Sequence, residues 1–464
     1  MNKIIILISM VTLLSSCGIY TSYKRPEIQT EGLFGKNVPT DSTGNIAHIH
    51  WNNFFTDPNL QELIEKGLAN NTDLRLAHLQ VTQAAASLQS ARLAFYPSLF
   101  FSPQGVLSSF DGQKTNKTYQ VPVAASWELD IFGKLHNAKQ RSKVAYEQSE
   151  AYQQAVQTQL ISTIANLYYT LLMLDSQLEI SEATAAKWKE NVRTTKAMKE
   201  AGMVTEASVA QTEANSHSID ASLLTLKRQI NEVENSLSIL LGETPQKIRR
   251  GSLENQKLPE KLAIGIPVEL LANRPDVKSA ELSLAQMFYA TNEARAAFYP
   301  SITLSGTAGW TNEAGSMIIN PGKFLWRAIG SLTQPLFNKG LNKSRLKIAK
   351  VQQESALLNF QQSLLNAGSE VNNAMVQWQT ARERIEIDQK QINSLETAVK
   401  STQLLMKHGS STYLEVLTAQ ETLLQAQLTQ IADRFEEIQG IINLYHALGG
   451  GQEIEALKGL LIEN

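Results

Sequence analysis

The chain repeats itself. Ala91-Arg92-Leu93-Ala94-Phe95-Tyr96-Pro97-Ser98 returns 203 residues later as Ala294-Arg295-Ala296-Ala297-Phe298-Tyr299-Pro300-Ser301. Upstream, Asn70-Asn71-Thr72-Asp73-Leu74 aligns at the same offset with Asn273-Arg274-Pro275-Asp276-Val277. Downstream, Phe132-Gly133-Lys134 pairs with Phe337-Asn338-Lys339 at 205, and Gly202 with Gly409 and Leu241-Gly242 with Leu448-Gly449 at 207. Landmarks that hold their order while the offset drifts by four residues record a duplication of about 205 residues. The period is too long for a solenoid of 20–50-residue repeats. Length suggests about three domains in a chain of 464 residues; the duplication instead predicts two large copies building one body.

Each copy follows one plan. Leu60, Leu63, Ile64, Leu68, Leu74, Ala77 and Val81 keep helical spacing ahead of the first Phe-Tyr-Pro. Pro97 and Pro300 stop these helices, because proline disfavours helical geometry at the residue before it. Alternation follows: Tyr119, Val121, Val123, Ala125, Trp127, Leu129 and Ile131 in the first copy, and Ile302, Leu304, Gly306, Ala308 and Trp310, then Phe324, Trp326, Ala328, Gly330, Leu332 and Leu336, in the second. Strands of about ten residues with one apolar face fit membrane β-barrel strands or a half-buried soluble sheet. Phe110, Tyr119, Trp310, Phe324 and Trp326 gather at the hairpin ends, where an aromatic girdle belongs. Pro122, inside an alternating run, predicts a bulge.

Long proline-free helical patterns come next. Leu160, Ile164, Leu167, Leu171, Leu174, Leu178, Ala185, Trp188 and Val192 step by four and three. Leu357, Leu364, Val371, Trp378, Ile385, Ile392, Val399 and Met406 recur every seven residues, the period of a left-handed coiled coil. Gly202 and Gly409 turn each copy into a second helix, ending at Gly242 and at Gly449-Gly450-Gly451.

The N-terminus is an address. Met1-Asn2-Lys3, the apolar run Ile4 to Leu14, and Ser15-Ser16-Cys17-Gly18 describe a secretory signal, too short to span a bilayer. Leu14-Ser15-Ser16-Cys17 resembles a bacterial lipobox, which makes Cys17 the lipidation candidate and outer-membrane lipid a partner. The expected division is therefore 1–16 signal peptide, 17–56 lipidated N-terminal arm, 57–250 first copy and 260–450 second copy, with a 451–464 tail. The first copy would hold strands at ~98–131 and helices at ~134–200 and ~205–241; the second, strands at ~300–337 and helices at ~339–407 and ~411–448. His48 and His50 could share a metal, but two histidines in a polar segment are the plainer reading, and no metal site is expected.

Lipobox, duplicated landmarks, strand pairs and glycine-turned helices together resemble the TolC-type outer-membrane factor family, and most closely its lipoprotein branch, the NodT-type outer-membrane efflux lipoproteins of resistance-nodulation-division (RND) systems. The resemblance implies a mainly α fold: a long α-helical barrel plus four strands per chain toward a twelve-stranded β-barrel shared by a homotrimer. It implies a periplasmic adaptor and an inner-membrane RND pump as partners, and a gate at the periplasmic helix tips. Glu415 matches the first carboxylate that guards the aperture in that family, while Thr418 stands where some members carry a second acid. A solvated surface glutamate is the competing reading. Gly202, Met203, Val204 and Thr205, with Gly409, Ser410 and Ser411, match the adaptor-contact tips, and Ser208 takes the place equivalent to Glu415.

Composition narrows the function. A formal net charge of -2 argues against nucleic-acid binding through bulk positive charge. A single cysteine excludes an internal disulfide framework. No phosphate loop, His-Glu-x-x-His or nucleophile elbow occurs, so no enzyme, catalytic residue or cofactor is expected. The expected role is an outer-membrane exit duct passively conducting drugs or other toxic small molecules from a periplasmic pump. The alternatives are a type I protein-secretion duct and a non-conducting lipid-anchored coiled-coil scaffold; the amphipathic strands favour a duct.

Overall fold

A computed structural model describes residues 20, 22–27, 32–33, 46–112, 115–257, 273–312, 323–408 and 412–452. Cys17, Gly409, Ser410 and Ser411 lie outside the described residues. Two compact units form, one from residues 1–28, 79–150 and 279–362, the other from 29–78, 151–278 and 363–464. Each draws on both copies, so the duplication does not produce one domain per copy.

The two copies follow the same order of helix, strands and paired long helices. Helices α1 (Pro58–Asn70) and α2 (Thr72–Leu93) lead into strands β1 (Ser98–Phe101), β2 (Gln104–Ser108) and β3 (Asn116–Leu129), then α3 (Lys134–Glu200) and α4 (Glu206–Leu240). The second copy has α5 (Pro275–Ala296), β4 (Ser301–Thr311), β5 (Lys323–Thr333), α6 (Leu341–Lys407) and α7 (Tyr413–Ala447). The long helices α3 and α6 each have 67 residues, about 100 Å at 1.5 Å per residue. α4 and α7 each have 35.

In the first unit the strands form one antiparallel sheet in the order β1-β3-β4-β5, with β2 on the same side of β3 as β1. Register makes its faces unlike. Leu99 and Phe101 oppose Ala125 and Val123; Val121, Val123, Ala125, Trp127 and Leu129 oppose Trp310, Ala308, Gly306, Leu304 and Ile302; these in turn meet Phe324, Trp326, Ala328, Gly330 and Leu332. Directly opposed residues share a face, so one side of the sheet is a continuous apolar surface. The other carries Gln120, Ser126, Glu128, Thr303, Ser305, Thr307, Arg327 and Ser331, interspersed with Phe100, Ala124, Leu325 and Ile329. β5 is exposed along its whole length, and nothing pairs with the outer edges of β1, β2 or β5 among the described residues.

Aromatic residues bracket the apolar face. Trp310 and Phe324 meet edge-to-face at one end, their centroids 5.8 Å apart. At the other, the Trp127 indole donates to the Phe95 carbonyl at 2.9 Å, Phe132 stacks on Tyr299 at 5.2 Å and Lys139 lies over the Phe95 ring. The repeated Phe-Tyr-Pro landmark is thus a second aromatic band.

Pro122 makes no bulge. Phe101 faces Val123 and Gln104 faces Gln120, so the register runs unbroken past it, as it does against β4. Ser102 donates to the Pro122 carbonyl at 3.4 Å, but proline has no N–H to return the bond. That lost bond, with Pro103 beside it, splits one strand into β1 and β2. Opposite Pro122 stands Gly309, where a Cβ would lie 2.2 Å from the Val121 carbonyl oxygen.

The second unit holds the largest buried side chains. Trp51, Phe54 and Phe55 of the stretch expected to be an arm are fully buried, and Phe54 stacks on Tyr445 at 4.0 Å. Residues 46–56 are not a free arm, because their apolar residues serve the core. Asp57 caps α1 and receives hydrogen bonds from Tyr168 (2.6 Å) and Gln256 (2.9 Å). The helix expected through residues 60–81 is two, because Asn71 ends α1 and starts α2: its side chain accepts from Leu74 N and donates to Leu240 O at 3.0 Å. Arg274, its counterpart, donates to Ala447 O at 3.1 Å, so the duplication extends to how each copy satisfies the last turn of its closing helix.

Candidate functional site

The helix turns of the second unit carry the residues assigned to gating and contact. At the first turn α3 ends in a left-handed Gly202 (φ +69°), with Met203 N donating to Met198 O at 2.8 Å. This six-to-one bond satisfies a terminal helix carbonyl. Thr205 then caps α4 by accepting from Ser208 N at 3.3 Å. Gly202, Met203, Val204 and Thr205 therefore form one tight turn, and Met203 is 70% exposed on it. Ser208 is part of that cap.

Ion pairs zip the first hairpin behind its turn. Lys199 meets Glu206, Lys196 meets Glu213 (2.8 Å), Lys189 meets Asp220 (3.1 Å) and Lys227 meets Glu182 (3.0 Å). All are solvent-exposed, so they define the pairing of α3 with α4 more than they stabilise it.

Glu415 occupies the first turn of α7 and is exposed. A carboxylate in a first helical turn also complements the helix dipole. Thr418, one turn on, is exposed too and returns its hydroxyl to Leu414 O at 3.0 Å. The opposite face of this turn is anchored. Tyr413 and Leu417 bury against Trp188 of α3, with Ile219 of α4 and Met406 of α6 packed around them. The Tyr413 hydroxyl donates to Asn191 O at 3.3 Å, and the Asn191 amide donates to Gln420 at 2.8 Å. Four helices thus converge just behind Glu415, pinning the start of α7 to the first hairpin. The i, i+3, i+4 spacing of Tyr413, Val416 and Leu417 was the available sign of this anchor. Trp188 belongs to the stepped apolar series of α3, whose spacing does not name its partner.

Among the described residues no group of three or more histidine, cysteine or acidic side chains could hold a metal, and no helix is long and apolar enough to cross a membrane. His48 and His50 line a small pocket with Asn273 and Gln452; His50 Nδ1 accepts from Asn52 N at 3.3 Å and is used in capping a short helix.

These features have close counterparts. The chain is 29% identical over 447 residues to the cation efflux system protein CusC of Escherichia coli K12, covering 94% of this chain and 97% of CusC. It is likewise 29% identical over 455 residues to the probable outer membrane lipoprotein SilC of Salmonella typhimurium, covering 96% and 98%. The open-state outer membrane channel MtrE of Neisseria gonorrhoeae superposes with a TM-score of 0.85 at 28% identity, over 94% of this chain and 99% of MtrE. The outer membrane efflux protein family model matches residues 63–243 and 266–450, one match to each copy of the duplication. With an amphipathic, open-edged sheet, two 67-residue helices and coverage of nearly the whole chain, this protein belongs to the outer membrane efflux protein family.

Proposed function

We propose that three copies of the chain close a twelve-stranded barrel in the outer membrane and form the exit duct of a tripartite efflux system. One observation carries this reading: a sheet four strands wide, apolar over most of one face and, among the described residues, unpaired along both outer edges. Unpaired backbone groups are costly in lipid, so a membrane sheet must close on itself, and four strands are too few. Pairing β5 of one copy with β1 and β2 of the next removes every edge. The more polar face then lines the passage, and α3, α4, α6 and α7 build a helical barrel.

On this reading Cys17 carries lipid that anchors the chain to the outer membrane, in keeping with the lipoprotein name of SilC. The turn at 202–205 and the segment 409–411 meet a periplasmic adaptor joined to an inner-membrane RND pump. Glu415, repeated three times around one axis, attracts cations at the closed tip. Conduction is passive, and the pump selects the cargo among small molecules. An efflux rather than a protein-secretion role is supported by the efflux relatives.

The purified protein should run as a trimer and conduct in planar bilayers, mostly closed and opened by adaptor contact. A protein that inserts yet never conducts, with or without adaptor, would refute the duct.

A further inference from the structure

The seam between α6 and α7 is built from small residues. On α6, Ala367, Ala374 and Ala381 are buried at seven-residue intervals. On α7, Ala426 and Gly440 are buried fourteen residues apart, and a Cβ on Gly440 would lie 2.8 Å from the Trp378 backbone nitrogen. The helices therefore pack backbone to backbone. Continuing each series by one step reaches an acid: Asp388 follows Ala381, and Asp433 stands midway between Ala426 and Gly440. The two acids sit level. Asp388 precedes the end of α6 by 19 residues and Asp433 follows the start of α7 by 20, while Gln430 donates to Gln389 at 3.0 Å beside them.

Both carboxyls are buried, Asp388 at 7% and Asp433 at 1% exposure, and each has an Oδ2 with no hydrogen-bond partner. Buried polar atoms without partners are rare and costly. One cation serves this place: Arg384 donates to Asp433 Oδ1 at 2.7 Å and reaches Glu436 at 3.6 Å. The charged groups around Asp433 are thus Asp388 and Arg384 on α6 and Glu436 on α7, three acids for one guanidinium. Full ionisation crowds like charges against the buried Asp433.

We propose that Asp433 takes up a proton and donates it in a hydrogen bond to Asp388, a pH-sensitive latch that holds α7 against α6. A proton on Asp433 turns its orphaned Oδ2 into a donor to the Asp388 carboxyl, joining the helices by a hydrogen bond where two like charges would repel. No bond to carbon changes and no further reactant is needed; the proton comes from and returns to the periplasm. The latch sets how freely α7, whose first turn holds Glu415, separates from α6. It rests on the duct reading only for that consequence.

The titration has a definite sign. Burial, a hydrogen bond to Asp388 that only the protonated form makes, and the neighbouring acids push Asp433 up to about 6, against the pull of Arg384. When the helices part, the group returns to its ordinary value of 3.8. Pairing is therefore strongest below that value and weakens as pH rises through about 6. Between pH 5 and 7 the opening equilibrium should rise about tenfold and then level off.

Hydrogen exchange on the intact assembled protein, corrected for intrinsic rates, tests this directly. Peptides spanning 381–395 and 426–440 should lose protection about tenfold from pH 5 to 7, and Asp388→Asn, which keeps the Arg384–Asp433 ion pair, should abolish the slope. Asp433→Asn should abolish it as well and serves if the first variant does not assemble. A flat wild-type profile, or a slope unchanged in either assembled variant, overturns the proposal. Absence of conductance with the exchange slope present counts against the duct and leaves the latch standing.

Discussion

Trp188 offers the sharpest test of how the second helix turn is held. Its indole is fully buried among Tyr413, Leu417, Ile219 and Met406, the side chains that seat the start of α7. Trp188→Ala removes an aromatic group burying about 150–250 Å², which at about 25 cal/mol per Å² is roughly 4–6 kcal/mol. Measured large-to-small changes of this type cost about 3–5 kcal/mol. At 1.4 kcal/mol per tenfold change, the lower range makes local opening of the turn roughly 10²- to several 10³-fold more frequent. The loss is local, because the core around Phe54, Phe55, Tyr168 and Tyr445 includes none of these residues. Exchange measured residue by residue should show amides 413–417 losing at least a hundredfold of their protection while those near Tyr168 keep theirs, and single-channel recordings should show more frequent opening. Unchanged protection at 413–417, or a uniform loss throughout the chain, would refute the argument that this cluster pins the turn.

Other perturbations separate the remaining roles. Glu415→Ala should reduce cation selectivity, read as a smaller reversal potential in a salt gradient; an unchanged potential removes Glu415 from the gate. Tyr168→Phe deletes the donor to Asp57 and the acceptor for Gly251 N, at a cost of about 1–3 kcal/mol. Burial alone would push Asp57 up, but the hydrogen bonds from Tyr168, Gln256 and Asn59 outweigh it and hold the carboxyl below its ordinary range. Its stabilisation is present above that range and lost as pH falls through the depressed value. The melting difference between wild type and Tyr168→Phe should therefore be largest at neutral pH and shrink in acid. Cys17→Ser should abolish incorporation of labelled fatty acid; retained label would place the lipid elsewhere.

Periodicity made much of the fold legible. The seven-residue series through Leu364, Val371 and Ile392 and the alternation through Val121 to Leu129 are local signals, repeated in two copies, and they become long helices and strands. The misreadings share a cause. Trp51, Phe54 and Phe55 lie in a stretch too short and irregular to show a period, and only their burial and the contacts of Phe54 and Phe55 with distant Tyr445 reveal them as core. Pro122 resembled a bulge because its effect depends on its cross-strand neighbours, Ser102 and Gly309.

The candidate site divides in the same way. The turns at Gly202 and Thr205 and the place of Glu415 in a first helical turn follow from neighbours within a few residues, so chain order alone locates them. The union of Trp188 with Tyr413, and of Asp388 with Asp433, joins residues 225 and 45 positions apart. Asp388 even continues the spacing of Ala367, Ala374 and Ala381, yet an acid at a core position means nothing until the facing helix presents another. Side-chain identity and period decide which face a helix buries. The register between helices decides what that face meets, and register is a property of the packed chain.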